Sequence, residues 1–578
     1  MRSISALSPV LLLALAGSAS GQAFPAVIEL SSLDGTDGFV IKGVNFRDFC
    51  GYSVSSAGDV NGDGIDDVLI GAFGGDPNGL SLGGESYVVF GRTSGFEPVI
   101  DLQFADASTR FVLKGVNAYD ESGRSVSSAG DVNGDGIDDL IIGAPDADQI
   151  GSFSTGASYV VFGRTAGFGT SLELSSLDGT TGFVINGVSQ SDISGKSVSC
   201  AGDVNGDGID DLIIGASYAG PNGLRSGQSY VVFGRSWGFE ASLDLSSLNF
   251  VTGFTINGVD ANDGSGRSVS GAGDVNGDGF DDLIIGAFRA SPNGVAAAGK
   301  SYVVFGRAAG YGAALELSSL DGTNGFVING IDSIDWSGRS VSGAGDVNGD
   351  GIDDLIIGAI YGDPNGNQSG ESYVVFGRAS GFGASLDLSS LDGTTGFVIN
   401  GVSDNDHSGH AVASAGDVNA DGFDDLIIGA PEATPNGVRS GQSYVVFGRA
   451  AGFGASLDLS SLDGTTGFAI NGVDVSDLSG WSVASAGDVN GDGIDDVVIG
   501  AKYADSGGAT SGASYVVFGR APVCLADVNH DDVLDATDFT AWIAAFNAMA
   551  TECDQNGDSL CDSSDFTAWV ANFNAGCG

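Results

Sequence analysis

Apolar residues in this chain come in short unbroken runs rather than in strict alternation with polar ones. Asp-Leu-Ile-Ile-Gly-Ala at Asp139–Ala144 is one such run. Ser-Val-Ser-Ser-Ala-Gly at Ser125–Gly130, Ser-Tyr-Val-Val-Phe-Gly at 158–163 and Gly-Phe-Val-Ile-Asn-Gly at 182–187 are the others of its set. Each is rich in β-branched and aromatic residues and bounded by Gly, Asn, Asp or Pro, which predicts strands. Runs apolar on both sides predict strands buried on both faces.

The four runs recur together along most of the chain. Between the first and second lies Asp-Val-Asn-x-Asp-Gly-x-Asp-Asp, beginning at Asp59, Asp131, Asp203, Asp274, Asp346, Asp417 and Asp488, so 72, 72, 71, 72, 71 and 71 residues apart. Self-similarity at a fixed period signals a repeat architecture. Four strands per unit, seven units and no atypical capping repeat predict an all-β fold, a closed β-propeller of seven four-stranded blades. The Phe-Val-Ile-like segment starts at Phe39, Phe111, Phe183, Phe254, Phe326, Phe397 and Phe468. Its first copy precedes the first Asp motif, and none follows the last blade. Residues 39–44 are therefore expected to supply the outer strand of the blade carrying Asp488, closing the ring with the N-terminal strand and removing an exposed edge.

The Asp motif has the spacing of a hard-cation loop, with oxygens from alternate positions and one backbone carbonyl. The ligands read from the first copy are Asp59, Asn61, Asp63, the Ile65 carbonyl and Asp67, with Gly64 allowing the turn and Asp66 taken as a solvated neighbour. The other copies give Asp131, Asn133, Asp135, Ile137 and Asp139; Asp203, Asn205, Asp207, Ile209 and Asp211; Asp274, Asn276, Asp278, Phe280 and Asp282. They continue with Asp346, Asn348, Asp350, Ile352 and Asp354; Asp417, Asn419, Asp421, Phe423 and Asp425; Asp488, Asn490, Asp492, Ile494 and Asp496. Four carboxylates within nine residues repel one another unless a cation joins them. Calcium is expected over magnesium, which demands stricter octahedral geometry, and up to seven ions are expected here.

Composition agrees with this reading. The 578 residues carry 74 acidic side chains against 21 basic ones, a formal net charge of −53. Such a surface repels nucleic acid and anionic lipid, so neither is an expected partner. Disorder is the other meaning of high charge, but 33 Phe, 13 Tyr and abundant Val and Ile argue for a core.

These repeats resemble the FG-GAP repeat of integrin α-subunit propellers, with Phe-Gly at 162–163 and Gly-Ala-Pro at 143–145. The resemblance covers about residues 24–520. It implies a seven-bladed propeller with calcium between the first two strands of each blade, all seven blades being competent here.

The ends differ from the repeats. Arg2, an apolar stretch at 10–16 and small residues after it read as a signal peptide over 1–22, and no run is long enough to span a bilayer. The chain is thus expected to be secreted, extracellular or held at a surface. After the propeller, 24–521, a module over 522–578 is expected. In it Asp527, Asn529, Asp531, Val533, Asp535 and Asp538 occupy positions 1, 3, 5, 7, 9 and 12 of an EF-hand-like loop. Asp554, Asn556, Asp558, Leu560, Asp562 and Asp565 repeat the pattern 27 residues on. Each loop runs into a helix-like segment with one apolar face, Phe539, Trp542 and Phe546, then Phe566, Trp569 and Phe573. Cys524, Cys553, Cys561 and Cys577 allow three pairings. The duplication resembles a type I dockerin of the kind ending in Gly-Cys, a small α-helical calcium-binding domain, although Asp532 and Ser559 replace its usual Gly. That resemblance implies two further calcium ions and a cohesin-like or cell-surface partner; a calcium-stabilised cap with no partner is the alternative.

Two other patterns bear on function. One repeat position reads Tyr52, Arg124, Lys196, Arg267, Arg339, His410 and Trp481. In a propeller these ring the axis, forming a basic and aromatic collar for an anionic or sugar-bearing ligand, protein or glycan; pairing with Asp335 and Asp477 is the alternative. His407 and His410 are too few for a zinc site. Arg92, Arg164, Arg235, Arg307, Arg378, Arg449 and Arg520 end every third strand, which points to a structural role. Near-uniform blades without an insertion favour a non-enzymatic adhesion or ligand-binding scaffold over a polysaccharide lyase or hydrolase on the same fold.

Overall fold

The computed structural model describes residues 24–148, 153–308, 310–505, 508–521, 528, 536–548, 566–570 and 573. Phe24–Arg520 form one compact unit and Ala521–Gly578 fall in another.

The first unit is seven sheets, one per repeat. In the first blade the order from the axis outward is Ser53–Gly58, Asp67–Ala72, Glu85–Val89 and Arg110–Lys114, all antiparallel. Each second strand is buried along its whole length, Asp67–Ala72 being an example, as expected for a run apolar on both faces. The core lies between blades. Leu69, Val88 and Phe111 of the first pack against Val126, Leu140 and Ile142 of the second, and the contact repeats around the ring.

Ring closure follows the expected route. Gly38–Lys42 pairs antiparallel with Ala513–Val517, Phe39 opposite Val516, in the blade carrying Asp488. A second N-terminal segment, Val27–Glu29, lies on Gly467–Asn471 of the preceding blade. Phe24 stacks on Phe468 at 4.3 Å, and Arg520 lies 4.5 Å over the Phe24 ring.

The blades have five strands, not four. Ser171–Glu173 adds to Arg110–Lys114 in parallel, and every sheet has its counterpart. Three residues with mixed polarity carry too weak a pattern to read from sequence. They are held by a polar pair across the two outer strands, for example Asn186 Nδ2 to Asp244 Oδ1 at 2.9 Å and Asn471 Nδ2 to Glu29 Oε1 at 2.7 Å. The extra strand covers the edge that would otherwise invite pairing with another chain.

In the C-terminal unit Ala536–Ala548 is a helix and residues 566–570 are helical. Trp542 and Trp569 are buried among Phe539, Phe546 and Phe573, the apolar face expected. Asp538 is buried in the first turn of the helix. The remaining expected ligands of this module, its cysteines and the signal segment lie outside the described residues. Among the described residues no helix is long and apolar enough to cross a membrane.

Candidate functional site

The Asp-rich motif forms the hairpin between the first and second strands. Asp59 Oδ1 accepts the N–H groups of Gly62 and Asp63 at 2.7 and 3.0 Å, and Oδ2 accepts that of Gly64 at 2.7 Å. Gly64 has φ +87° with open space at its Cβ position, so the left-handed turn rather than crowding requires glycine there. Asp67 is fully buried and accepts from the Gly91 N–H at 2.9 Å and from Asn61 Nδ2 at 3.2 Å. Burial pushes its carboxyl up to about 8, and the negative Asp63 and Asp59 add to the shift. Asp139, Asp211, Asp282, Asp354 and Asp496 are raised to about 8 in the same way, and Asp425 is raised strongly.

A carboxylate that is buried, near two others and without a cationic side chain is a donor suited to a hard cation. Asn419 adds to this, because its Oδ1, at the third position of its loop, is buried without a hydrogen-bond partner. The donor types therefore fit calcium. Among the described residues, however, no three Asp, Glu, His or Cys side chains stand close enough to hold an ion as the loops lie, since the carboxylates bond loop N–H groups.

Asp66 is not the solvated neighbour expected. Its Oδ2 accepts the Asp488 N–H at 2.9 Å, across the junction of the last blade and the first. Asp138 binds the Asp59 N–H likewise, and the bond recurs from Asp210, Asp281, Asp353, Asp424 and Asp495. The glycine before each motif answers to this contact: at Gly58 a Cβ would collide with the Asp138 carboxylate.

At the opposite end of the first strands the seven collar residues come together. Tyr52, Arg124, Lys196, Arg267, Arg339, His410 and Trp481 line one axial cavity of about 160 Å³. All seven are half-buried. Burial, then Arg124 and Arg267, brings Lys196 down to about 7. Burial and Arg267 bring Arg339 down to about 9, and burial lowers Arg267. Lys502, absent from the sequence reading of the collar, joins them. It is 6% exposed, sits 2.8 Å over the Trp481 ring and is lowered to about 7 by burial, Arg124 and Arg339.

Pairing with Asp335 and Asp477 is not what holds these cations. Arg124 pairs with Glu121; among the described residues Lys196, Arg267, Arg339 and Lys502 make no ion pair. Aromatic rings stand where carboxylates would, Arg124 lying 5.0 Å over Tyr52 and 4.8 Å over Phe73. A ring face steadies a cation without cancelling its charge. Six serines beside the collar stitch neighbouring blades, as in Val126 N–H to Ser53 Oγ at 3.1 Å. Each of these hydroxyls accepts that bond and keeps its own proton to donate. The arrangement can take an anion.

The other basic residues named from sequence have separate work. The seven arginines ending the third strands lie 4.3–4.5 Å over Phe96, Phe168, Phe239, Tyr311, Phe382, Phe453 and Phe24, which makes them structural. His407 faces Gln368 at 3.2 Å and Glu432 at 3.7 Å. His410 faces the Trp481 carbonyl at 3.2 Å, and burial and Arg339 hold it well below its usual range.

Known proteins share the repeat. The FG-GAP repeat model matches residues 122–161, 197–232, 265–304, 337–375, 408–446 and 479–517, the second to seventh blades. Phosphatidylinositol-glycan-specific phospholipase D of Dictyostelium discoideum is 29% identical over 325 residues, 53% of this chain and 31% of that protein. Its Bos taurus counterpart is 31% identical over 37% of this chain and 25% of its own length. Integrin alpha pat-2 of Caenorhabditis elegans is 32% identical over 42% of this chain and 18% of its own. The chain thus spans a third or less of these relatives, which are named as a phospholipase D and an integrin alpha. It carries FG-GAP repeats in a seven-bladed propeller homologous to that of integrin α subunits.

Proposed function

We propose that this chain is an exported ligand-binding propeller whose collar end takes an anionic extracellular ligand and whose opposite end is held by calcium. The observation that carries the reading is the axial cavity. Unpaired cations are gathered there in a chain of net charge −53. Desolvating such charges without a counter-ion is unfavourable, so an anion entering the cavity gains more than it would at an exposed site.

In each hairpin the oxygens of the first, third, fifth and ninth motif residues and the seventh-residue carbonyl would hold calcium, Asp59, Asn61, Asp63, Asp67 and Ile65 in the first blade. Bound calcium supplies the charge that seven buried Asp carboxylates otherwise lack. The C-terminal module, on its dockerin-like spacing, would bind two more ions and attach the propeller to a cohesin-like or surface partner. A scaffold is favoured over an enzyme because the seven blades are near-uniform in length and none carries an insertion.

The test is a screen of acidic and neutral glycans and proteins, with reducing-sugar release followed on each hit. The reading expects acidic hits that weaken as salt rises, no turnover, and loss of binding when Arg124, Arg267 and Arg339 are together replaced by Ala. Unchanged binding by that variant contradicts it.

A further inference from the structure

Beside the axial cavity lies a second one of about 270 Å³. It breaks the sevenfold pattern. Its lining includes Lys196, Arg225, Arg267, Arg289 and Arg339, together with Tyr218, Phe288 and Trp336, and no Asp or Glu. Five of the 21 basic residues of a strongly acidic chain therefore face one hole.

The asymmetry has a local origin. The residue two past the Ala that ends each second strand is Asp146 in the second blade and Glu432 in the sixth, but Tyr218 in the third and Arg289 in the fourth. Glu432 takes up Arg439 at 3.0 Å, an internal neutralisation the third and fourth blades lack. There the guanidinium groups rest on rings instead. Arg225 lies 4.6 Å over Tyr218, and Arg289 lies 5.0 Å over Phe288 and 5.9 Å over Trp336. None of Arg225, Arg267, Arg289 and Arg339 makes an ion pair among the described residues. Ser217, 1% exposed and part of the lining, has a buried Oγ without a hydrogen-bond partner. A buried hydroxyl and uncancelled cations in one pit are together the marks of a site whose ligand brings the missing acceptor oxygens.

We propose that this pit binds a single acidic sugar unit, the oxyanion facing Arg267, Arg289 and Arg339 and the ring lying against Tyr218. The inference rests on the reading of this end of the propeller as the ligand face. The shape decides between sugar and peptide. A peptide docks along a free strand edge or an elongated groove, whereas none of the residues around this cavity lies in a strand. A carboxylate and a sulfate ester present the same oxyanion chemistry to arginine.

The test is calorimetric titration of the whole chain in calcium with four probes. These are an oligouronate disaccharide, a sulfated disaccharide, a neutral disaccharide and triglutamate. Tyr218, Arg225 and Arg289 are exposed, so Tyr218→Ala, Arg225→Ala and Arg289→Ala leave the core intact. The proposal expects one acidic disaccharide per chain, bound about tenfold or more above the neutral one. Which acidic probe binds names the oxyanion. Tyr218→Ala and Arg289→Ala should each weaken it about tenfold, while Arg439→Ala, at an exposed arginine of the sixth blade that lines neither cavity, leaves it within about twofold. Equal binding of the neutral sugar, stronger binding of triglutamate, or indifference to all three pit variants overturns the proposal. If acidic sugar binding falls with Arg124→Ala but not with Arg289→Ala, the pit is refuted and the axial reading stands. No anion binding at all refutes both.

Discussion

Adjacent residues of the acidic hairpin do opposite jobs. Asp67 turns into its own blade and is fully buried, whereas Asp66 reaches across to the Asp488 N–H. A second set of buried carboxyls lies at the collar end. Burial raises Asp48, Asp120, Asp263, Asp335, Asp406 and Asp477 to about 6. A carboxyl raised on folding binds its proton more tightly in the native state, so its contribution is complete below the ordinary value of 3.8 and is lost as pH rises through about 6. The seven hairpin carboxyls, raised without calcium, add to the six. His407 and His410, kept neutral by burial, act the other way below 6.5, and Lys196 and Lys502 do so down to about 7, four groups against thirteen. In chelator the melting temperature should therefore rise as pH is lowered from about 7.5 to about 5. A fall over that interval in thermal melts would show that these carboxyls are not desolvated as described. The ligand spacing of the hairpins was legible in sequence because it is local, over nine residues. The role of Asp66 was not, because the partners of that contact lie in different blades; Asp59 and Asp138 are 79 residues apart.

Between elements, the same non-local bond makes neighbouring blades one structure. Each inter-blade clamp joins a carboxylate to the backbone N–H that opens the neighbouring hairpin, with a glycine making room. Asp138→Ala leaves the Asp59 N–H without its acceptor, which should cost about 1–3 kcal/mol in urea unfolding. Asp138→Asn keeps an acceptor oxygen and should recover most of it. Faster hydrogen exchange at Asp59 in the Ala variant alone would locate the effect, and a loss below about 0.5 kcal/mol would contradict the clamp. At this scale the four main strands and the N-terminal closing strand followed from apolar runs and turn residues. The fifth strand escaped because three residues such as Ser171–Glu173 carry no period. The pit beside the axis escaped because Tyr218 and Arg289, at one repeat position, and Trp336, at another, meet only where adjacent blades pack.

Over the whole propeller, the axial cations and the acidic hairpins lie at opposite ends. The 21 basic residues split into seven that stack on rings at the ends of the third strands, seven gathered around the axis and its neighbouring pit, and seven elsewhere. The other end gathers 28 Asp in its seven hairpins. The account gives these ends separate work, recognition at one and ion-dependent cohesion at the other. Calcium modules outside cells bind at about 10⁻⁴ to 10⁻³ M, so at about 2 mM calcium each hairpin adds roughly 0.6–1.8 kcal/mol by mass action. Seven sites acting on one cooperative unit of about 500 residues, with an unfolding entropy near 1 kcal/mol/K, amount to about 4–12 °C. The direct measurement is a calorimetric melt of the whole chain in about 2 mM calcium, in about 2 mM magnesium and in chelator. The account predicts a melting temperature higher in calcium by about 4–12 °C, with magnesium close to chelator; coincident melts in calcium and chelator would contradict it.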